Sequence, residues 1–100
     1  MKFEWDEAKN RQNIKKHGLD FADANSLFTG DVPFFVALDE NEDYGEERWK
    51  GIGMLEGIMV VVVVYTEREK ETIRIISMRK ATSRERKAYE KAIKDRLETD

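Results

Sequence analysis

The spacing of apolar residues changes several times along the chain, and each change marks a different element. Near the N-terminus Phe3 and Trp5 alternate with polar neighbours, the period of two that suits a short strand or an extended arm. Asp6 then supplies an N-cap, with Glu7 in the positive first turn, and the pattern predicts a helix running to His17 before Gly18. Between Ala8 and Lys16 only Ala8 and Ile14 are apolar. Burial therefore stabilises this helix little, and Phe3 and Trp5 are expected to help anchor it. A polar helix held near a core suits the edge of a binding site.

A second helix is expected from Asp20, placing Phe21, Ala24, Leu27 and Phe28 on one stripe before Gly30 ends it. Residues 32–38 read as a strand, with Pro33 near its start, where a missing amide donor is tolerated. A further strand over 48–55 carries Trp49, Ile52 and Met54, and Glu56-Gly57 is a tight turn. The β-branched run from Ile58 to Tyr65 predicts a central strand covered on both faces. Residues 66–71 form a charged hairpin tip. The strand over 72–79 is expected to place Ile73, Ile75 and Ser77 on one face and Arg74, Ile76 and Met78 on the other. Thr82-Ser83-Arg84-Glu85 is a capping box, opening a helix with Ala88, Tyr89, Ala92, Ile93 and Leu97 on one side. The expected fold class is α+β, a single domain over residues 1–100. It comprises a short N-terminal strand, two helices, a four-stranded antiparallel meander and a C-terminal helix.

Composition narrows the chemistry. Apolar residues make up 40% of the chain and charged residues 39%. The first figure is too high for a disordered chain and the second is well above the usual share of about a quarter, so a small core under a charged surface is expected. With no cysteine there is neither disulfide nor thiolate zinc site, and one histidine cannot build a histidine-rich metal centre. No cofactor is expected. The N-terminus lacks the order of a signal peptide, and the apolar run from Ile58 to Tyr65 is far short of the roughly 18 residues that a membrane helix needs, so a cytoplasmic location is expected.

The net charge of -3 argues against a simple nucleic-acid binder, yet it averages two unlike regions. From Asp39 to Glu56 acids dominate, with only Arg48 and Lys50 against them; from Thr66 to Arg96 basic residues outnumber acids. One face can therefore be locally positive and accept a phosphate partner. Within the acidic stretch Asp39, Asn41 and Asp43 have the spacing that opens an EF-hand loop. The sixth and twelfth positions are Tyr44 and Lys50 instead of glycine and glutamate, so calcium binding is not expected.

His17, the single histidine, follows Lys15 and Lys16 and precedes Gly18. One reading makes it part of a helix C-terminus, where cations offset the dipole and glycine closes the helix. The other makes it a group that exchanges protons around neutral pH.

Phe3-Glu4-Trp5-Asp6, Lys9, Asn13, Lys16-His17-Gly18 and Phe21 resemble the opening of the BrnT family of bacterial toxins. Glu47 and Arg48 with Ile52-Gly53, then Tyr65-Thr66 with Arg68, then Arg74-Ile75-Ile76-Ser77 with Arg79, Ala81, Glu85 and Tyr89 are similar to its later blocks, in order. The resemblance implies a type II toxin with a RelE-like fold. It also implies an endoribonuclease that inhibits translation by cutting RNA, and a BrnA-like antitoxin that carries a ribbon-helix-helix DNA-binding domain. RNA cleavage without a metal needs a proton exchanger and cations around the phosphorane. On this reading His17, Arg48 and Arg79 are the catalytic candidates, and Lys16, Arg68 and Arg74 bind RNA. Each has a plainer alternative. Arg48 can pair with Glu47 or the acidic loop, Arg68 can be solvated, and Arg74 can form a structural salt bridge. Glu85 can be only a cap, and Tyr89 only core. A different class of function, a non-catalytic module that binds a partner protein through its sheet edge, uses the same residues.

Overall fold

The computed structural model describes residues 1–39 and 46–98, and the acidic-loop reading with its calcium comparison lies largely outside them. Strand β1 (Lys2–Glu4) leads into helix α1 (Glu7–His17) and a 3-10 helix (Phe21–Phe28). Strands β2 (Phe34–Leu38), β3 (Trp49–Leu55), β4 (Met59–Arg68) and β5 (Thr72–Lys80) follow, and helix α2 (Ser83–Glu98) ends the described chain. The sheet order is β1-β5-β4-β3-β2. The antiparallel meander is as expected, and β1 joins it as a fifth strand, parallel to β5 with Phe3 beside Ile73. No described helix is long and apolar enough to cross a membrane.

The second helix differs from an α-helix for a reason visible in its spacing. Phe21, Ala24 and Leu27 recur every third residue, the period of a 3-10 helix, and all three are buried. They pack with Val61, Val63, Tyr65, Ile73 and Ile75 on one sheet face. The Phe28 ring lies at the centre of an aromatic cluster, with centroids 5.4 Å from Phe3, 4.9 Å from Phe34 and 5.0 Å from Tyr65. Gly51 and Gly53 on β3 leave room for this cluster, since a Cβ at Gly51 would overlap the Phe34 ring. At the β3–β4 turn Glu56 and Gly57 both adopt positive φ, 54° and 70°, as a primed hairpin turn requires.

Strand β5 departs from simple alternation. The β4–β5 register slips between Val64, opposite Ser77, and Tyr65, opposite Ile75, which leaves Ile76 as the extra residue of a β-bulge. The bulge exchanges the faces of everything after it. Met78, expected beside Arg74, is fully buried in the core cluster with Ile73 and Ile75. Arg79 consequently turns to the opposite face, beneath α2.

Helix α2 covers that second face thinly. Its anchor is Tyr89, which is 2% exposed, donates to the Pro33 carbonyl at 2.7 Å and meets Phe35 edge-on at 5.7 Å. Tyr89 is therefore core, as its plainer reading had it. The rest of the expected stripe is only partly used: Ala88 is exposed, and Leu97 is 71% exposed.

The polar helix α1 is held otherwise than expected. Ala8 is exposed and Ile14 is 40% exposed, whereas Asn10 and Asn13 are its buried residues. Asn10 accepts from the Phe21 N–H at 2.9 Å and donates to Asp20 at 3.0 Å. Asn13 does more. Its amide donates to the Met78 carbonyl at 2.8 Å and the Leu19 carbonyl at 3.0 Å, while its oxygen accepts from the Met78 N–H at 3.2 Å. Beyond the three-residue β1, one asparagine side chain thus takes the place of a neighbouring strand on the β5 edge. Helix α1 is fastened to the sheet by hydrogen bonds where apolar area is lacking.

Candidate active site

Asn13 sets the position of everything one turn further along α1. Asp6 caps the helix N-terminus through the Lys9 N–H at 3.1 Å, and Gly18 closes the C-terminus at φ 70°, its N–H on the Ile14 carbonyl at 2.7 Å. Lys15, Lys16 and His17 occupy the last turn, so the helix-end reading of this stretch holds. It does not exhaust His17. The half-buried side chain also lines a hollow of about 400 Å³ with Lys16, Arg79, Lys80 and Thr82. On its other side His17 borders a second hollow of about 310 Å³, shared with Lys9, Gln12, Lys16, Ile76 and Ser77. The two hollows share Lys16 and His17 and together form a basic trough along β5.

Arg79 reaches this trough because of the bulge, and α2 holds it there. Its Nη1 donates to Glu85 Oε1 at 2.7 Å and to the Lys80 carbonyl at 3.2 Å, and its Nη2 donates to Glu85 Oε2 at 3.0 Å. Glu85 also completes the capping box, accepting from the Thr82 N–H at 2.8 Å while its own N–H donates to Thr82 Oγ1 at 3.1 Å. One carboxylate therefore starts a helix and grips an arginine.

The two charged forms stabilise each other. Hydrogen bonds from Arg79 hold the Glu85 carboxyl far below its ordinary 4.5, at about 2, with the Thr82 N–H adding to the effect and burial opposing it; the Arg79 guanidinium is shifted upward by the same contact. In the unfolded chain Glu85 takes up its proton at higher pH than in the fold. The contribution of the pair is accordingly complete above about pH 4.5 and lost as pH falls towards 2. Acid unfolding followed by circular dichroism should show a shallower decline between pH 4.5 and 2 in Glu85→Gln than in the parent chain. Identical slopes would mean that the pair contributes nothing to acid stability.

Of the six site residues read from the sequence, the trough unites Lys16, His17 and Arg79. Arg48, Arg68 and Arg74 gather at the other end of the sheet. Arg74 sits directly across from Glu4 in the β1–β5 register and pairs with it at 2.8 Å, the structural salt bridge of its plainer reading. Arg68 pairs with Glu46 at 3.3 Å and lines an open hollow with Arg74, Glu4, Glu69 and Thr72. Arg48, half-buried ahead of β3, accepts from the Asp39 N–H at 2.8 Å through its carbonyl. Trp49 lies opposite Tyr65, and Thr66 lies opposite Arg74, so Arg48 belongs to the Arg74 end. Five residues of strand, roughly 16 Å at about 3.3 Å each, separate Arg74 from Arg79. Arg48 is thus not brought together with His17 and Arg79.

Lys9, Lys80 and Thr82 also line the trough and were not singled out as site residues by sequence reasoning. Thr82 was legible only as a cap, and nothing in the local pattern distinguishes the two lysines from solvated charge. Among the described residues no group of three or more metal-ligating side chains occurs.

A family model described as the ribonuclease toxin, BrnT, of type II toxin-antitoxin systems matches residues 5–85, a span that takes in α1, the meander and the capping glutamate. Among solved structures, the crystal structure of the Brucella abortus ribonuclease toxin, BrnT, is similar, with 35% sequence identity and a TM-score of 0.64. That match covers 83% of this chain and 99% of the Brucella one. No curated protein matches the chain. The family model and the Brucella structure agree over most of the sequence and over the α+β fold, and the chain belongs to the BrnT family of ribonuclease toxins of type II toxin-antitoxin systems.

Proposed function

We propose that this chain is a cytoplasmic, single-domain endoribonuclease of RelE-like type that cleaves RNA without a metal and is neutralised by a BrnA-like ribbon-helix-helix antitoxin. The observation that carries the reading is the trough in which the single histidine stands among Lys16, Arg79 and Lys80. In the proposed reaction the RNA 2'-hydroxyl attacks the adjacent phosphorus as its proton leaves to a base. The bond from phosphorus to the 5'-oxygen breaks, and that oxygen receives a proton. His17 is the group that exchanges the proton, and Arg79 and Lys16 offset the charge that accumulates on the phosphorane. Arginine suits this task because its planar fork binds two phosphate oxygens at once. Arg48, Arg68 and Arg74, at the far end of the sheet, hold the RNA strand away from the cut. Net acidity of the chain does not oppose this, because the trough itself is basic.

A non-catalytic binding module is not favoured, since the family is one of ribonuclease toxins. The test is cleavage of an oligoribonucleotide by the purified chain in the presence of a chelator. New 2',3'-cyclic phosphate ends are the expected products of internal attack. Intact RNA, or products with only 3'-hydroxyl ends, would refute the proposed chemistry.

A further inference from the structure

Arg79 carries five N–H donors, one on Nε and two on each terminal nitrogen. Three are engaged: the Nη1–Nη2 fork by the two Glu85 oxygens, and the outer Nη1 hydrogen by the Lys80 carbonyl. The two that remain, on Nε and on Nη2, lie on one edge of the guanidinium plane. They form a second fork with the spacing that a phosphate accepts in a bidentate manner. A guanidinium on a long, flexible stem would otherwise sample many orientations and lose entropy on binding. Here both members of the pair are partly withdrawn from solvent, with side chains 37% and 27% exposed, and Glu85 is fixed in turn by the first turn of α2 through the Thr82 N–H.

We propose that Glu85 is a positioning residue, which by occupying one fork of Arg79 fixes the other fork for a phosphate seated beside His17. The inference rests on the reading of the trough as the ribonuclease site. Helix α2 then has a part in the reaction although only its first turn approaches the trough. Its attachment to the sheet, through Tyr89, becomes a determinant of how Arg79 is aimed.

The test is Glu85→Gln. Glutamine serves at this position of a capping box, so the helix start survives, but the charge and one charge-assisted bond to Arg79 are lost. Cleavage of an oligoribonucleotide is expected to slow in kcat by roughly tenfold to a hundredfold, the scale of a misplacement of about 1 Å, with KM little changed. The circular dichroism spectrum should match that of the parent chain. Arg79→Lys supplies the second arm. Because both substitutions act through one contact, the double variant should be scarcely slower than Arg79→Lys alone, a failure of additivity that a merely structural role for Glu85 does not produce.

A parental kcat in Glu85→Gln, with Arg79→Lys and His17→Ala both impaired, would overturn the positioning role and leave the site intact. Effects of Glu85→Gln and Arg79→Lys that simply multiply would overturn it as well. Full activity in both Arg79→Lys and His17→Ala would instead remove the site reading and this inference with it.

Discussion

Purified His17→Ala is expected to fold as the parent chain does and to cleave RNA roughly 10² to 10⁴ times more slowly, the usual contribution of a positioned acid or base. Stability and rate separate here because the two readings of His17 make different demands. As a member of a helix C-terminus the side chain adds at most about 1 kcal/mol, and Lys15, Lys16 and Gly18 supply the same favourable end without it. As the proton exchanger of the trough it has no substitute, since it is the single histidine and its neighbours there are lysines, an arginine and uncharged side chains. The parent chain should also show a limb in its pH–rate profile that the variant lacks. The decisive measurement is cleavage by folded His17→Ala across pH 5 to 9. A parental rate with a parental profile would return His17 to its part in the helix end, and the chemistry would have to rest on Arg79 and the lysines.

How far sequence could locate this site depended on whether the signal was local. The span of α1, its Asp6 and Gly18 ends, the Thr82–Glu85 box and the four meander strands each follow from residues a few positions apart, and each is found close to where the pattern puts it. The Glu56-Gly57 turn is of the same kind. The bulge at Ile76 is not. It arises from how β4 and β5 pair, and no feature within residues 72–79 announces the extra residue, so strict alternation sent Met78 to the wrong face. The docking of α1 was hidden for a similar reason. Hydrophobic patterning measures apolar area, and a helix attached by one asparagine amide to main chain 65 residues away leaves no apolar trace.

The site shows the same division. Lys16 and His17 are adjacent in sequence, and their meeting needs no fold. Their meeting with Arg79 depends on two long-range devices, the bulge that turns the arginine and the asparagine that seats the helix. Arginines of similar chemistry, Arg68 and Arg74, were indistinguishable from Arg79 in sequence because each waits on a different partner. Glu46 and Glu4 take those two, and Glu85 takes the third.

Asn13 is the residue on which both devices converge, and its removal should have the largest effect on stability. Asn13→Ala leaves the Met78 N–H and C=O, on a buried stretch of strand edge, without their partner, and it also deprives the Leu19 carbonyl. Each buried backbone group left unpaired costs about 1–3 kcal/mol, so a loss of roughly 2–4 kcal/mol is expected after water reaches part of the site. That is a large fraction of the 5–15 kcal/mol typical of a small domain. Helix α1 has almost no apolar face to hold it once the amide is gone, so His17 should lose its place beside Arg79 and cleavage should fall even at temperatures where most molecules stay folded. Asn13→Asp sharpens the argument. Its carboxylate can still accept from the Met78 N–H, but it faces the Met78 and Leu19 carbonyls where the amide donated, and burial among acceptors raises the pKa of an acid. The penalty should be full at neutral pH and relieved as pH falls through that raised value, because the protonated acid donates again. Urea midpoints at pH 7 and pH 5 test this directly. The Asn13→Asp deficit should shrink at the lower pH while the Asn13→Ala deficit stays put. Equal deficits at both values, or an Asn13→Ala midpoint matching the parent chain, would show that α1 is held by something other than this amide.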